Sequence, residues 1–500
     1  MKIDSRKQLF IDEKFIENKK GITLQVNPPV KAEQIECLTP AYHPPYVIEY
    51  GGKYFMYYGS KKDGIVVYTS TDGVTWKNGV TDPSGNPRAI ASYGEGGPFL
   101  DPRAEDGYPF KSISGVGNDP VKGLVGVWAE TVGTNGGKIL EGALYLFRSK
   151  NGLQWEIVPK IPVPFTCDTA NQCVYDPGIG RYVAYLRGEK NGRAVARTEI
   201  DDLMKMPWPF RRNASRPTGP HGCYSGIKED EMDIVLFSDD QDPPGTDIYN
   251  PCVNIYPHAQ DVYLAFPSMF RAYGYGDRKY LDATYGRENR RDIRGDESGD
   301  GLFEIQLAVS RDGKQFQRFR TPYLRPGLVT DRRGERGEKD CGLIMLGIGM
   351  VRQGDYLCQY YLGMQGTHCD FPVVARRGID PAKDRRIFRL IQRLDGFVSA
   401  DAGAEGGEIT TPVLTFAGNR LVLNADCGGL GEIWVELQDG QGMPVSGYAL
   451  ADSVSIDRNG TAQEIWWKQG PDVSKLAGKP IRLHIKMRSA KLFAFQFINA

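Results

Sequence analysis

Five stretches of the chain share one pattern: a tyrosine leads into a short apolar or aromatic run that closes on a small residue. They are residues 54–59 (YFMYYG), 108–115 (YPFKSISG), 182–188 (YVAYLRG), 263–268 (YLAFPS) and 356–363 (YLCQYYLG). A second element follows three of them: Ser70-Thr71-Asp72-Gly73, Ser149-Lys150-Asn151-Gly152 and Ser310-Arg311-Asp312-Gly313. An aromatic residue stands three positions after each of those glycines: Trp76, Trp155 and Phe316. Between the two elements lies another β-type run, at 65–69, 143–148, 194–198 and 305–309, with 372–376 in that place in the fifth copy. The Asp-Gly or Asn-Gly pair marks a tight turn, because glycine takes positive φ without steric cost. The third copy keeps only Asp201, Asp202 and Trp208 of the turn signal, and the fifth only Gly378-Ile379-Asp380-Pro381.

A strand-built unit that recurs every few tens of residues cannot bury its apolar face alone, so neighbouring copies must stack. The fold class expected is therefore all-β, a five-bladed β-propeller. Each blade should hold an inner strand, the tyrosine strand, a third strand, the turn and an outer strand. From about Asp395 the blade motif stops, and short alternating strands follow at 409–416, 420–425, 431–437, 462–467, 481–487 and 492–497. That pattern reads as a C-terminal β-sandwich. The expected division is a propeller over 1–394 and an accessory sandwich over 395–500, whose Trp434, Trp466 and Trp467 could stack on a sugar. Two long insertions, 118–141 and 273–300, interrupt the second and fourth blades and are expected at a functional rim.

The 62 Lys and Arg residues balance 62 Asp and Glu residues, which argues against nucleic acid or an anionic membrane as partner. With 26 tyrosines and 7 tryptophans, the chain suits a saccharide. Its 9 cysteines are scattered without a C-x-x-C pair and read as reduced thiols. The first residues, MKIDSRKQLFIDEK, contain no apolar leader core, and no run reaches the roughly 18 residues of a membrane helix. The chain as given reads as cytoplasmic, or as periplasmic or secreted if a leader has been removed.

In a propeller the inner strands line a central tunnel, and residues at their entrances converge from every blade. Counting back from each tyrosine strand finds Glu95, Asp168, Asp247 and Asp340 at nearly one structural address in four blades, with Thr39 there in the first. Glycoside hydrolysis needs two carboxyl groups in different protonation states, and crowding raises the pKa of at least one. Those four acids are the catalytic candidates. Asn171, Tyr249 and Asn250 lie beside them, Arg187 ends the third tyrosine strand, and His43 and His368 flank the first and follow the fifth. All six are candidate substrate-binding residues; Arg187 could grip a carboxylated sugar or pair with Asp176. No metal motif is present and no cofactor is required, although a divalent cation such as Ca²⁺ in the tunnel is compatible with this arrangement.

Leu9-Phe10-Ile11-Asp12, Asp168-x-x-Asn171, Asp247-Ile248-Tyr249 and Ser310-Arg311-Asp312-Gly313 resemble bacterial proteins labelled similar to the N-terminal domain of glycoside hydrolase family 32. The resemblance spans about Leu9 to Arg393 and extends to the wider five-bladed glycosidases of families 43, 68 and 117. It implies a propeller and a carbohydrate substrate. The family-32 nucleophile motif W-x-N-D-P-N-G has no counterpart in Leu38-Thr39-Pro40-Ala41-Tyr42-His43-Pro44-Pro45, and Leu100-Asp101-Pro102 matches R-D-P only in part. The fructosidase reaction is therefore not implied, and the likeness to family 117 keeps His43 and His368 open as acids. The leading reading is an exo-acting glycoside hydrolase with Asp168 and Asp247 as the catalytic pair in undecided order. A non-catalytic glycan-binding propeller is the alternative, and a propeller polysaccharide lyase or phosphorylase a third. Oligomeric state is not readable from the sequence.

Overall fold

The structure, a computed structural model, describes residues 1–36, 39–60, 64–79, 88–90, 96–115, 143–158, 160–169, 171–212, 216, 224–272, 301–328, 337–368, 380 and 383–500. Among these residues there is no α-helix; the chain is strand and turn, with short 3-10 turns at Glu13–Phe15, Leu450–Asp452 and Ser474–Leu476. Both long insertions, and Glu95 with them, lie outside the described residues.

Each repeated copy forms its own antiparallel sheet. The first runs Tyr46–Tyr50, Lys53–Ser60, Gly64–Ser70, with Lys77–Asn78 and Arg88–Ile90 beyond. The second is Pro98–Leu100, Phe110–Gly115, Leu144–Ser149, Trp155–Ile157, and the third Gln172–Asp176, Arg181–Glu189, Arg193–Ile200, Asp233–Leu236. In the fourth the inner strand is split into Thr246–Asn250 and Val253–Ile255. Its partner is split into Tyr263–Ala265 and Ser268–Ala272, and Gly301–Ser310 and Gln317–Leu324 complete the sheet. The fifth has Leu343–Leu346 and Val351–Gln353 against Tyr356–Met364, then Arg386–Arg393. Its third strand is thus not 372–376, which lies outside the described residues, but a later run. After Arg393 the chain departs, so the open edge is closed by Val30–Ile35 from ahead of the first sheet.

The five sheets meet in cyclic order. Val47 N–H donates to Ile348 O at 2.8 Å, joining fifth to first, and Gly96 bridges to Asn171, joining second to third. Val253 N–H reaches Gln172 Oε1 at 2.8 Å from fourth to third, and Gly349 N–H reaches Asn254 Oδ1 at 2.9 Å from fifth to fourth. Apolar clusters fill the gaps between neighbours. Tyr57, Phe110 and Phe147 pack between first and second sheets; Leu146, Ala184 and Leu186 between second and third; Val183, Ile248 and Ala308 between third and fourth.

The repeated motif is explained by what it touches. Ser70, Ser149 and Ser310 each accept, through Oγ, the N–H of the turn glycine three residues on, at 2.8, 2.9 and 3.0 Å. The turn's Asp72, Asn151 and Asp312 accept the next two backbone N–H groups. A tyrosine of the preceding sheet then donates its hydroxyl to the glycine carbonyl: Tyr57 to Gly152 at 2.7 Å, Tyr185 to Gly313 at 3.0 Å, and Tyr360 to Gly73. This clasp joins first to second, third to fourth and fifth to first sheets. The two interfaces without it are those facing the third and fifth copies, where the turn signal is degenerate.

The tail forms two further sheets. One orders Asn459–Glu464, Arg420–Asp426, Ala490–Ile498, Val398–Ala402 and Ile22–Val26; the other Asn18–Lys20, Gly407–Thr410, Ile481–Arg488 and Glu432–Asp439. Residues 2–26, expected with the first module, therefore pair with strands of the second. The reason is apolar: Ile3, Phe10, Phe15, Ile16 and Ile22 are buried in the same core as Ile433, Leu483 and Phe495. Trp467 is also core, donating Nε1–H to Val435 O at 2.9 Å, whereas Trp466 is exposed. Cys173, Cys252, Cys358 and Cys427 are buried thiols.

Candidate functional site

In a sheet whose strands run up, down, up, the starts of the first and third strands and the end of the second share one edge. The chemistry gathers at that edge in four of the five sheets.

The third sheet supplies Asp168, Arg187 and Arg193. Asp168 lies just ahead of the inner strand and is ion-paired with Arg187 at the end of the tyrosine strand, not Asp176. Asp176 instead accepts from Tyr263 and from Gly178 N–H. Asn171 makes the pairing geometric. Its Nδ2 donates to Cys167 O at 3.3 Å and Thr169 O at 3.1 Å, and its Oδ1 accepts Arg187 N–H at 2.8 Å. The loop is tight enough to force Thr169 to φ 75°. Asn171 is thus a positioning residue, buried and without a free edge for substrate.

The fourth sheet supplies Asp247 and Tyr249. Asp247 Oδ2 accepts Arg193 Nη1 at 3.0 Å and the Arg193 N–H at 3.3 Å. Burial pushes its carboxyl above the usual aspartate range, with Arg193 and Arg187 opposing. Desolvation penalises the charged form, and here it outweighs two guanidinium groups. Arg193 also lies over the Tyr249 ring at 4.7 Å. Burial raises the Tyr249 phenol, against the pull of Arg193 and Arg187.

The fifth and first sheets close the cluster. His368 Nε2 meets Tyr249 Oη at 2.9 Å, its ring packed against Phe270 and Phe303. Arg385 donates to Tyr42 O at 3.2 Å and stands 4.5 Å from the Tyr42 ring. Burial lowers its pKa, and Tyr42, Tyr249 and Asp384 act on it electrostatically. Asp384 anchors both residues: it accepts Gln365 N–H and Gly366 N–H, on the way to His368, and binds Arg386 at 2.8 Å. His43 is adjacent to Tyr42 and seats its ring over Gly59, where an added Cβ would come within 2.6 Å of Cδ2.

The structure thus brings together Asp168, Asp247, Arg187, Tyr249 and His368, with Asn171 and His43 at the margin. It does not bring Asp340. That carboxylate binds Lys31 of the outer strand at 2.7 Å and Tyr361 Oη at 2.8 Å. Gly363 explains the departure, because its missing side chain leaves the space that Asp340 Cβ occupies. Asn250 is buried between fourth and fifth sheets with Nδ2 at 3.3 Å from Met345 Sδ. Thr39 serves structure, its backbone bonded to Tyr68 and Tyr58. Asp101 pairs with Lys111 at 3.2 Å at the far end of its strand. Arg193, Arg385, Tyr42, Phe270 and Phe303 were not anticipated. Among the described residues no group of His, Cys, Asp and Glu has the arrangement of a metal site.

No family model and no curated protein matches the chain. Among solved structures, it is similar at 13% identity to a family-43 arabinoxylan arabinofuranohydrolase from Bacillus subtilis in complex with cellotetraose. That match covers 92% of this chain and 96% of that one, with a TM-score of 0.36. An endo-1,4-β-xylanase from Bacteroides thetaiotaomicron is 12% identical over 73% and 94%, TM-score 0.39. An N-acetylgalactosamine deacetylase from F. plautii, in complex with blood group B trisaccharide, is 14% identical over 75% and 94%, TM-score 0.41. Nothing in the description of the site rests on these likenesses.

Proposed function

We propose that the five sheets are the blades of a five-bladed β-propeller, the tail sheets a β-sandwich, and the clustered edge the active site of an exo-acting glycoside hydrolase. Asp247 is the proton donor and Asp168 the base or nucleophile. The observation that carries this reading is the chain Asp168, Arg187, Asp247, Arg193, in which two carboxylates from adjacent sheets sit in unlike surroundings. Asp247 is buried and shifted toward its protonated form, as a group that protonates a leaving oxygen must be. Asp168 is half-exposed and ion-paired, placed to receive a proton from water or to attack the anomeric carbon. Tyr249 and His368 form a polar floor able to hold a sugar hydroxyl, with Phe270 and Phe303 behind it. The chemistry needs no cofactor.

Screening oligosaccharides with the wild type, Asp168→Asn and Asp247→Asn tests the assignment. Each substitution should lower turnover by about 10²- to 10⁴-fold with unfolding midpoints unchanged. Undiminished turnover in either removes that residue from the pair. One observation favours a non-catalytic glycan-binding protein instead: both carboxylates are already engaged by arginines. Saturable binding with no released sugar across the screen would select that reading.

A further inference from the structure

We propose that the saccharide bound at this edge is anionic, carrying a uronate carboxylate or a sulfate ester that Arg187, Arg193 and Arg385 receive. The inference rests on the glycan reading above and names its substrate class.

Three guanidinium groups from two sheets converge on Tyr249. Arg193 stacks over its ring, and Arg187 and Arg385 act on its phenol electrostatically. A neutral sugar would not need them. Concentrating like charges costs free energy, and burial adds to it: Arg187 is lowered by desolvation and then by Arg193, and Arg385 by desolvation. The described carboxylates around them are Asp168, Asp247 and Asp384. Asp384 directs its bonds to Arg386 and to two backbone N–H groups, and Asp247 is the acid that burial keeps toward its neutral form. The cluster therefore holds more cationic than anionic charge.

The hydrogen bonds point the same way. Nε of Arg187 and Nε of Arg193 are both buried, with no acceptor among the described residues. A buried donor on a charged group left unsatisfied costs more than an ordinary hydrogen bond is worth, so such groups persist where a ligand completes them. A planar carboxylate or a sulfate presents acceptor oxygens matched to the guanidinium fork. A hydroxyl offers one acceptor and no charge.

Free monosaccharides decide the matter, because they contain no glycosidic bond and binding is read without turnover. Titration calorimetry with the full chain would compare galacturonate with galactose, glucuronate with glucose, and 6-sulfated with unsulfated galactose. At least one charged sugar should bind about tenfold or more tightly than its neutral counterpart, and the preference should shrink as salt rises. Which arm responds assigns carboxylate or sulfate. Arg385→Gln should abolish the preference, and Arg385→Lys, which keeps the charge, should retain part of it. If Arg385→Gln fails to fold, the wild-type comparison still decides. Equal affinity for charged and neutral sugars overturns the proposal. Charged-sugar preference without hydrolysis of any oligosaccharide would instead leave it standing and remove the hydrolase reading.

Discussion

Gly152→Ala is the sharpest probe of the clasp that joins neighbouring sheets. Two costs add at this position. Gly152 has φ 76°, a conformation that costs an L-residue about 1–2 kcal/mol. A Cβ would also lie 2.7 Å from the Tyr57 hydroxyl and 2.9 and 3.0 Å from two atoms of the Phe110 ring. Both neighbours are fully buried, so neither swings away cheaply, and overpacking of this kind costs a further ~1–3 kcal/mol. The sum is about 2–5 kcal/mol. Gly52 supplies the control, with φ 72° and nothing within 4 Å of the added atom, so Gly52→Ala should show only the backbone cost. Guanidinium denaturation of both variants isolates the packing term as their difference. Adding Tyr57→Phe to Gly152→Ala should recover part of it, because the nearest clashing atom is gone. A difference below about 0.5 kcal/mol between the two glycine variants would refute the account, since the contact distances would then carry no energy.

Burial holds Asp247 above the ordinary carboxyl range, so a reaction needing it protonated should stay fast below its folded pKa and fall as pH rises through it. A pH–rate profile of kcat/KM checks this, and a descending limb no higher than that of an exposed aspartate would contradict it. Asn171→Ala removes the amide that ties the Asp168 loop to Arg187, so kcat should drop about tenfold or more while Asn171→Asp, which keeps one acceptor, loses less. A kcat unchanged in the alanine variant would leave Asn171 with no positioning role. Deleting residues 1–26 strips strands from both tail sheets and uncovers Ile433, Leu483 and Phe495, so limited proteolysis should cut first after residue 398. First cleavage within 46–200 would show that the N-terminal strands support the ring instead.

The fold was legible because its repeat is written in side chains with fixed partners. Tyr57, Tyr185 and Tyr360 recur because each must reach a turn carbonyl in the next sheet, and the serine and glycine of that turn recur for the same contact. Where the clasp is absent the letters had drifted, so the third copy's outer strand and the fifth copy's third strand could not be placed. The borrowed strand Val30–Ile35 was hidden for another reason. Nothing local in 30–35 says that its partner lies more than three hundred residues later, at Arg386–Arg393.

The site was half legible, and the missing half follows a rule that the sequence could have supplied. Counting back from each tyrosine strand samples only the head of the inner strand, which found Asp168 and Asp247 but also Asp340. An antiparallel sheet brings two more addresses to the same edge, the tail of the second strand and the head of the third. Arg187 and His368 occupy the first of these, at or just past the ends of Arg181–Glu189 and Tyr356–Met364. Arg193 and Arg385 occupy the second, at or just before Arg193–Ile200 and Arg386–Arg393. Scored over all three addresses, the third and fifth copies each offer two cations or a cation and a histidine, whereas the first offers Gly59 and Gly64. That imbalance between copies, more than the acids alone, places the chemistry beside the third, fourth and fifth sheets. It also explains why Asp340 misled: a head-of-strand acid faces the shared edge only when the strand tail opposite it is not a glycine that makes room to turn away.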